Sequence, residues 1–215
     1  MAAEEPAVVI VHGLWTGPWA MAWLDRGLAR AGFRVFRFGY PSVRGSLQAN
    51  GAALADFAAA VDAPQIHWLG HSLGGIIIFR ALAGGRFAGG RVVMLGSPLQ
   101  GSAAAARLAK LETGRTMLGR SVLEWFAAPA SRWTLPFELG IIAGTRSVGL
   151  GRIVAPQLPK PNDGAICLEE TRIAGASEYL DLPVSHSGML LSSHVARCSA
   201  NFLHFGRFAG EGAGC

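Results

Sequence analysis

The stretch Ile66-His67-Trp68-Leu69-Gly70-His71-Ser72-Leu73-Gly74-Gly75-Ile76-Ile77-Ile78 constrains the fold of this chain more than any other. An apolar run rises into Gly70-His71-Ser72-Leu73-Gly74 and a second apolar run leaves it at once, so a buried strand passes directly into a buried helix. A serine on so tight a turn is held in a strained conformation, and its neighbours two positions away must lack a Cβ to avoid a clash. The turn lifts the Ser72 hydroxyl into the open. It also sets the Leu73 N–H beside that hydroxyl, at a helix N-terminus that favours negative charge. Taken alone, the pentapeptide fits a packing turn equally well; its surroundings decide.

Those surroundings alternate strand and helix. Ala7–Val11 is a continuous β-branched run, as in a strand buried on both faces of a parallel sheet, and Phe33–Phe38 and Arg91–Leu95 read as further strands. Between them Pro18–Arg30 and Ser46–Val61 carry apolar residues at helical spacing, with Trp19 and Trp23 one turn apart and expected in the core. The helix behind Ser72 runs to about Ala83. Short connections between alternating elements predict a doubly wound, mostly parallel α/β sheet with flanking helices. Residues 101–140 differ in character. Amphipathic pieces, exposed-looking aromatics (Trp125, Phe126, Trp133, Phe137) and interleaved basic residues suggest a helical insertion over the carboxyl ends of the strands, a cap or lid, whose aromatics either bind an acyl chain or pack on the sheet. Phe137–Ala143 restores a strand, a Pro- and Gly-rich loop spans 144–161, Glu178–Leu182 is a last short strand, and Met189–Phe205 a closing helix.

At 215 residues one domain is expected across the whole chain, and with 51% hydrophobic and 15% charged residues global disorder is not. Apolar runs of four to eight residues exclude a membrane-spanning helix of the usual length. The acidic start, Met1–Pro6, lacks a basic region and a separate apolar one, so a cytoplasmic location is expected. The net charge of +5 is scattered, without a run of like charges, which argues against a nucleic-acid arm. Cys167, Cys198 and Cys215 are too few and too irregular for a disulfide framework or a zinc site; reduced thiols are expected, with a Cys167–Cys198 bridge as the alternative. No His, Cys or Asp cluster has metal-ligand spacing, and no cofactor is expected.

Serine is a weak nucleophile at its own pKa, so it needs a base, and the base needs an orienting acid. For a serine on such an elbow the chain order is serine, acid, histidine. That order sets aside His12, His67 and His71 and leaves His186, His194 and His204. His186, in the small-residue loop Val184–Gly188 after the last strand, is the choice; the other two fall within the closing helix. Asp163, in the turn Pro161-Asn162-Asp163-Gly164, is the acid, with Glu178 in reserve. A tetrahedral oxyanion needs two N–H donors. Leu73 supplies one and the loop after the first strand the other, by Leu14 first and Trp15 next. Trp15 and His71 are further assigned to substrate contact.

With these residues in view the chain resembles the serine α/β-hydrolase superfamily, and its lipase and esterase branches in particular. The resemblance runs from Val8 to about Phe205. It is carried by His12-Gly13-Leu14, Gly70-His71-Ser72-Leu73-Gly74-Gly75, Gly96-Ser97-Pro98-Leu99-Gln100-Gly101-Ser102, Asn162-Asp163-Gly164 and His186-Ser187-Gly188-Met189. It implies an α/β-hydrolase fold, Ser72 as nucleophile, Asp163 as acid, His186 as base, and an oxyanion hole at the N–H groups of Leu14 and Leu73. The expected activity is cleavage of a small-molecule or lipid carboxylic ester through an acyl-enzyme, with interfacial contact through 101–140. A thioesterase or amidase using the same residues is the alternative, and a non-catalytic ligand-binding relative the next.

Overall fold

The computed structural model describes residues 5–149 and 158–209. Six strands, β1 (Ala7–Val11), β2 (Arg34–Phe38), β3 (Ile66–His71), β4 (Arg91–Leu95), β5 (Glu138–Gly144) and β6 (Glu178–Leu182), form one sheet in the order β2-β1-β3-β4-β5-β6. Every neighbouring pair is parallel. The chain moves from β1 outward to β2, then crosses back to β3 on the other side of β1. Strand order therefore reverses between β1 and β3, where an open α/β sheet forms its crevice beyond the carboxyl ends of the strands. The register Val11↔Gly70 places the ends of those two strands side by side at that crevice.

Alternating side chains of the central strands feed two apolar layers. Val9, Val11, Trp68 and Met94 face α2 (Leu47–Ala59), α3 (Leu73–Leu82) and α5 (Glu112–Ala127). Val8, Ile10, Leu69 and Leu95 face the other side, which pairs α1 (Ala22–Arg30) with the last helix, α7 (Ser193–Phe205). Ser46, Ser102 and Ser192 cap α2, α4 (Ala103–Leu108) and α7 by accepting backbone N–H bonds of 3.1–3.3 Å.

Trp19 and Trp23 are not core residues. They are 72% and 45% exposed, and the inward face before and along α1 belongs to Met21, Leu24 and Leu28. Trp19 lies in a 3₁₀ turn at Pro18–Met21, ahead of α1. Trp23 lies in α1 itself, where Leu24 and Leu28 take the inward stripe, so its indole leaves on the outer side.

In residues 101–140 three of the four aromatics pack inward. Trp125, Trp133 and Phe137 are buried, and the two indoles meet the Phe79 ring of α3 edge-on at 5.3 and 5.4 Å. Their N–H groups donate to the carbonyls of Pro98 and Phe137, which removes the cost of burying them. Helix α5 breaks at Gly119, whose φ of 75° only glycine adopts freely. Its second half packs on α2, where Asn50 donates to the Ser121 hydroxyl at 3.0 Å, so this part serves as the crossover layer between β4 and β5. The first half reaches the carboxyl edge, where the Met117 carbonyl accepts the Trp15 indole N–H at 2.8 Å, and just past the break the Arg120 N–H donates to the Val43 carbonyl.

Cys167 is a buried free thiol at the start of the short helix α6 (Leu168–Thr171), whereas Cys198 lies in the α1–α7 layer and is disulfide-bonded. The Cys167–Cys198 bridge is thus not formed, and the thiols are not all reduced. Among the described residues no helix is long and apolar enough to cross a membrane.

Candidate active site

The turn between β3 and α3 is as tight as its sequence demands. Ser72 has φ 54° and ψ −122°, well outside the helical and strand regions. Its N–H donates to the Leu95 carbonyl at 2.9 Å, and its carbonyl accepts from Gly75 N–H at 3.1 Å. A Cβ built on Gly70 would lie 2.4 Å from the Gly75 nitrogen, and one on Gly74 would lie 2.2 Å from the Val11 carbonyl oxygen. Both clashes are with backbone, so neither can be relieved by a side chain moving. The two glycines of the pentapeptide are a steric requirement of the strand–helix approach.

On the other side of the crevice the Asn162–Gly164 turn holds Asp163. The Asn162 side chain pins this turn, donating to the Pro159 carbonyl and accepting from Gly164 N–H, each at 3.0 Å. Asp163 is only 1% exposed. One carboxylate oxygen, Oδ1, accepts from the Ala165 and Ile166 N–H groups at 2.9 and 2.7 Å. The other, Oδ2, accepts from His186 Nδ1–H at 2.6 Å, and the His186 N–H donates to the Asp163 carbonyl at 2.8 Å. Burial pushes the Asp163 pKa up, but His186 and the two backbone donors outweigh it, and the net shift is downward. The carboxylate is therefore anionic at neutral pH.

Two contacts tie this pair to the elbow. The His71 and His186 rings lie 4.7 Å apart, and His71 Nε2–H donates to the His186 carbonyl at 3.0 Å. A Cβ built on Gly96, one residue beyond the Leu95 carbonyl that holds Ser72, would stand 3.0 Å from Asp163 Oδ2 and 3.1 Å from His186 Nδ1. The structure thus brings Ser72, His186 and Asp163, together with the end of β4, to one place. His194 and His204 lie on α7, and Glu178 is engaged at the far end of β6 with the Phe208 N–H, so none of these alternatives joins it.

The loop after β1 closes the remaining side: a Cβ on Gly13 would be 3.1 Å from the Ser72 Cβ. Trp15 is half exposed with φ 59°, and its N–H donates to the Ser42 hydroxyl at 3.3 Å. Leu14 follows Gly13 directly, and Leu73 occupies the first turn of α3, where N–H groups have no acceptor within the helix. His71, expected at the substrate, is instead buried, with Nε2 turned to the His186 backbone and Nδ1 unpaired. Two residues were missed by sequence reasoning. Tyr40 stacks on His12 at 4.5 Å and donates its hydroxyl to the His12 carbonyl, bracing the loop, and Ser42 holds Trp15. The available signal was position alone: both follow β2, the strand beside β1.

Three buried histidines are held neutral. Burial, then the neighbouring His186, lowers His71 to about 3; burial, then Arg91 and His204, lowers His67 to about 4; burial lowers His12. His67 Nδ1 accepts the Arg91 N–H and His12 Nε2 the Tyr40 N–H, which a protonated ring could not do. Each folded pKa lies below the unfolded value, so the unfolded chain binds more protons as the pH falls below about 6.5. The depressed Asp163 acts in the same direction at lower pH, and Glu170, raised by burial, acts against it. Stability is expected to drop by on the order of 3 kcal/mol between about pH 7.5 and 4.5. Urea midpoints across that range measure it, and a flat profile would contradict neutral burial of these rings.

The alpha/beta hydrolase family matches residues 8–196 by sequence profile. No curated protein matches the chain. Among solved structures, a metagenomic carboxyl esterase superposes with a TM-score of 0.64 at 18% identity, over 86% of this chain and 66% of its own, so the present chain spans just under two thirds of that esterase. Polyneuridine aldehyde esterase gives 0.60 at 14% identity, over 91% of this chain and 98% of its own. The RedJ thioesterase of the prodiginine pathway in Streptomyces coelicolor gives 0.59 at 12%, over 94% and 89%. At these identities the likeness is one of fold. Together, the profile match over most of the sequence, the parallel six-stranded sheet and the strained serine at its switch point place this chain in the alpha/beta hydrolase family.

Proposed function

We propose that the chain is a serine hydrolase that cleaves carboxylic esters through an acyl-enzyme, with Ser72 as nucleophile, His186 as base and Asp163 as orienting acid. The observation that carries this reading is the 2.6 Å bond from His186 Nδ1–H to a buried, anionic Asp163, next to a serine at φ 54°. With its proton fixed on Nδ1, the His186 ring has Nε2 free to accept the Ser72 proton as Oγ attacks the ester carbonyl. The oxyanion falls to the N–H groups of Leu73 and Leu14; the Trp15 N–H is already committed to Ser42, which favours Leu14 as the second donor. Collapse breaks the bond to the alcohol oxygen, which leaves with the proton from Nε2. Water then gives a proton to Nε2 as it attacks the acyl carbon, and the second collapse breaks the bond to Oγ, which takes that proton back from Nε2 and releases the acid.

In this reading Trp15, exposed at the mouth and bonded to Met117, borders the acyl side, and the first half of α5 is the part of 101–140 that covers it. A thioester would be cleaved by the same atoms, with a thiol leaving, so a series of esters and thioesters of equal acyl length ranks the two. The deciding experiment is labelling with a fluorophosphonate probe followed by peptide mass analysis. The expected result is one adduct on Ser72 in folded protein and none after unfolding. Folded protein that does not label would overturn the assignment in favour of a ligand-binding relative.

A further inference from the structure

A cleft of about 480 Å³ opens between α1 and α7, on the outer face of the molecule and away from Ser72. Trp23, Arg26 and Arg30 line it from α1, and Arg197 lines it from α7. Within α1, Trp23, Arg26 and Arg30 are spaced three and four apart, so they form a single stripe down one helical face. All three arginines are exposed, and none has an ion pair among the described residues. The acidic residue of α1, Asp25, is taken by Arg37 at 3.0 Å, and α7 contains no acidic residue. His204, also in the cleft, spends its Nε2 on the Ala31 carbonyl.

Large apolar side chains stand at both ends of this basic face. Trp19 is 72% exposed in the turn that precedes α1, and the 3₁₀ turn Gly188–Leu191, which packs on α1, exposes Leu191 by 69%. Phe205 is 64% exposed at the far end of α7. An acidic soluble partner would match the arginines but not this apolar rim. A bilayer with anionic headgroups matches both, because indole and leucine side chains partition to the acyl–headgroup boundary while guanidinium groups bind phosphates. We infer that the α1–α7 face, Trp19, Trp23, Arg26, Arg30, Arg197 and Leu191, docks the protein on an anionic lipid surface. Trp19 lies four residues beyond Trp15 and Leu191 five beyond His186, so the docked face is joined by short stretches of chain to two loops of the candidate site. The inference deepens the ester-hydrolase reading by fixing where a lipid ester would be met, and in that respect it rests on that reading. It relocates the interfacial contact expected of residues 101–140 to the opposite layer of the sheet.

The test is co-sedimentation with vesicles of phosphatidylcholine alone or mixed with phosphatidylglycerol, using wild-type protein, Ser72→Ala and the triple variant R26E/R30E/R197E. Binding to the anionic vesicles only is expected, with weakening as salt is raised and a loss on the order of 100-fold in the triple variant, about fivefold or more per arginine. Trp19→Ala with Leu191→Ala should weaken binding while leaving its salt dependence in place. Cleavage of a water-soluble short ester by the triple variant should stay within about twofold of wild type, since these arginines are remote from Ser72. Equal binding to neutral vesicles, no binding, or unchanged binding by the folded triple variant would overturn the inference. So would capture of an acidic soluble protein without vesicle binding. Because Ser72→Ala protein binds as wild type does under this inference, a failure of docking and a failure of the ester-cleaving chemistry are read separately.

Discussion

Ser72→Ala is expected to lower kcat/KM for a short p-nitrophenyl ester by on the order of 10⁴-fold or more, leaving the background that an oxyanion hole and binding alone supply. The substitution removes one atom. The bonds that hold the elbow, Ser72 N–H to the Leu95 carbonyl and Gly75 N–H to the Ser72 carbonyl, are backbone bonds and survive it. Stability should therefore change by no more than about 0.5 kcal/mol. A loss of activity with an unchanged unfolding midpoint isolates the nucleophile; activity near wild type would remove Ser72 from the mechanism. The result also bears on His71. Its ring is buried against the His186 backbone, so a motif reading that takes the histidine of Gly-His-Ser for the base predicts turnover surviving at His186→Ala, whereas the geometry predicts its collapse.

What the sequence could say about this site depends on how local each constraint is. The elbow was legible because its glycines answer clashes within a few residues and with the adjacent strand: Gly74 has no room for a Cβ beside Val11, and the register that puts them together follows from two apolar runs. Asp163 was legible as a turn residue in the right chain order, but its partners on Oδ1 were not, since they depend on how the loop folds back on Ile166. Helix phase was less accessible. Trp19 and Trp23 have core spacing on paper, yet the inward stripe runs through Met21, Leu24 and Leu28 and leaves both indoles in solvent. Trp125 and Trp133 lie in a segment whose amphipathic pieces fitted a lid and a sheet-packed layer equally well. They are buried because the crossover from β4 to β5 must cover the sheet face next to α3, and Phe79 waits there.

Asp163→Asn is the sharper probe of the base, because the substitution preserves shape and inverts one hydrogen bond. Two backbone N–H groups, from Ala165 and Ile166, converge on Oδ1 at 2.9 and 2.7 Å. Only the amide oxygen can accept them, so the new side-chain NH₂ must occupy the Oδ2 position and face His186 Nδ1. There it can only donate, and a bond forms only if Nδ1 gives up its proton. The neutral ring then carries its proton on Nε2, the atom that must be bare to receive the Ser72 proton. A kcat lower by about 10⁴-fold is expected from this tautomer change. Asp163→Ala would instead leave two buried N–H donors unpaired and cost on the order of 1–3 kcal/mol for each. The two variants thus separate catalysis from folding: the amide variant should be folded and nearly inactive, the alanine variant inactive and measurably less stable. If the Asp163→Asn protein turned over esters near the wild-type rate, the acid would lie elsewhere. Glu178, bound to the Phe208 N–H at the opposite end of β6, could not take its place without unfolding that edge of the sheet.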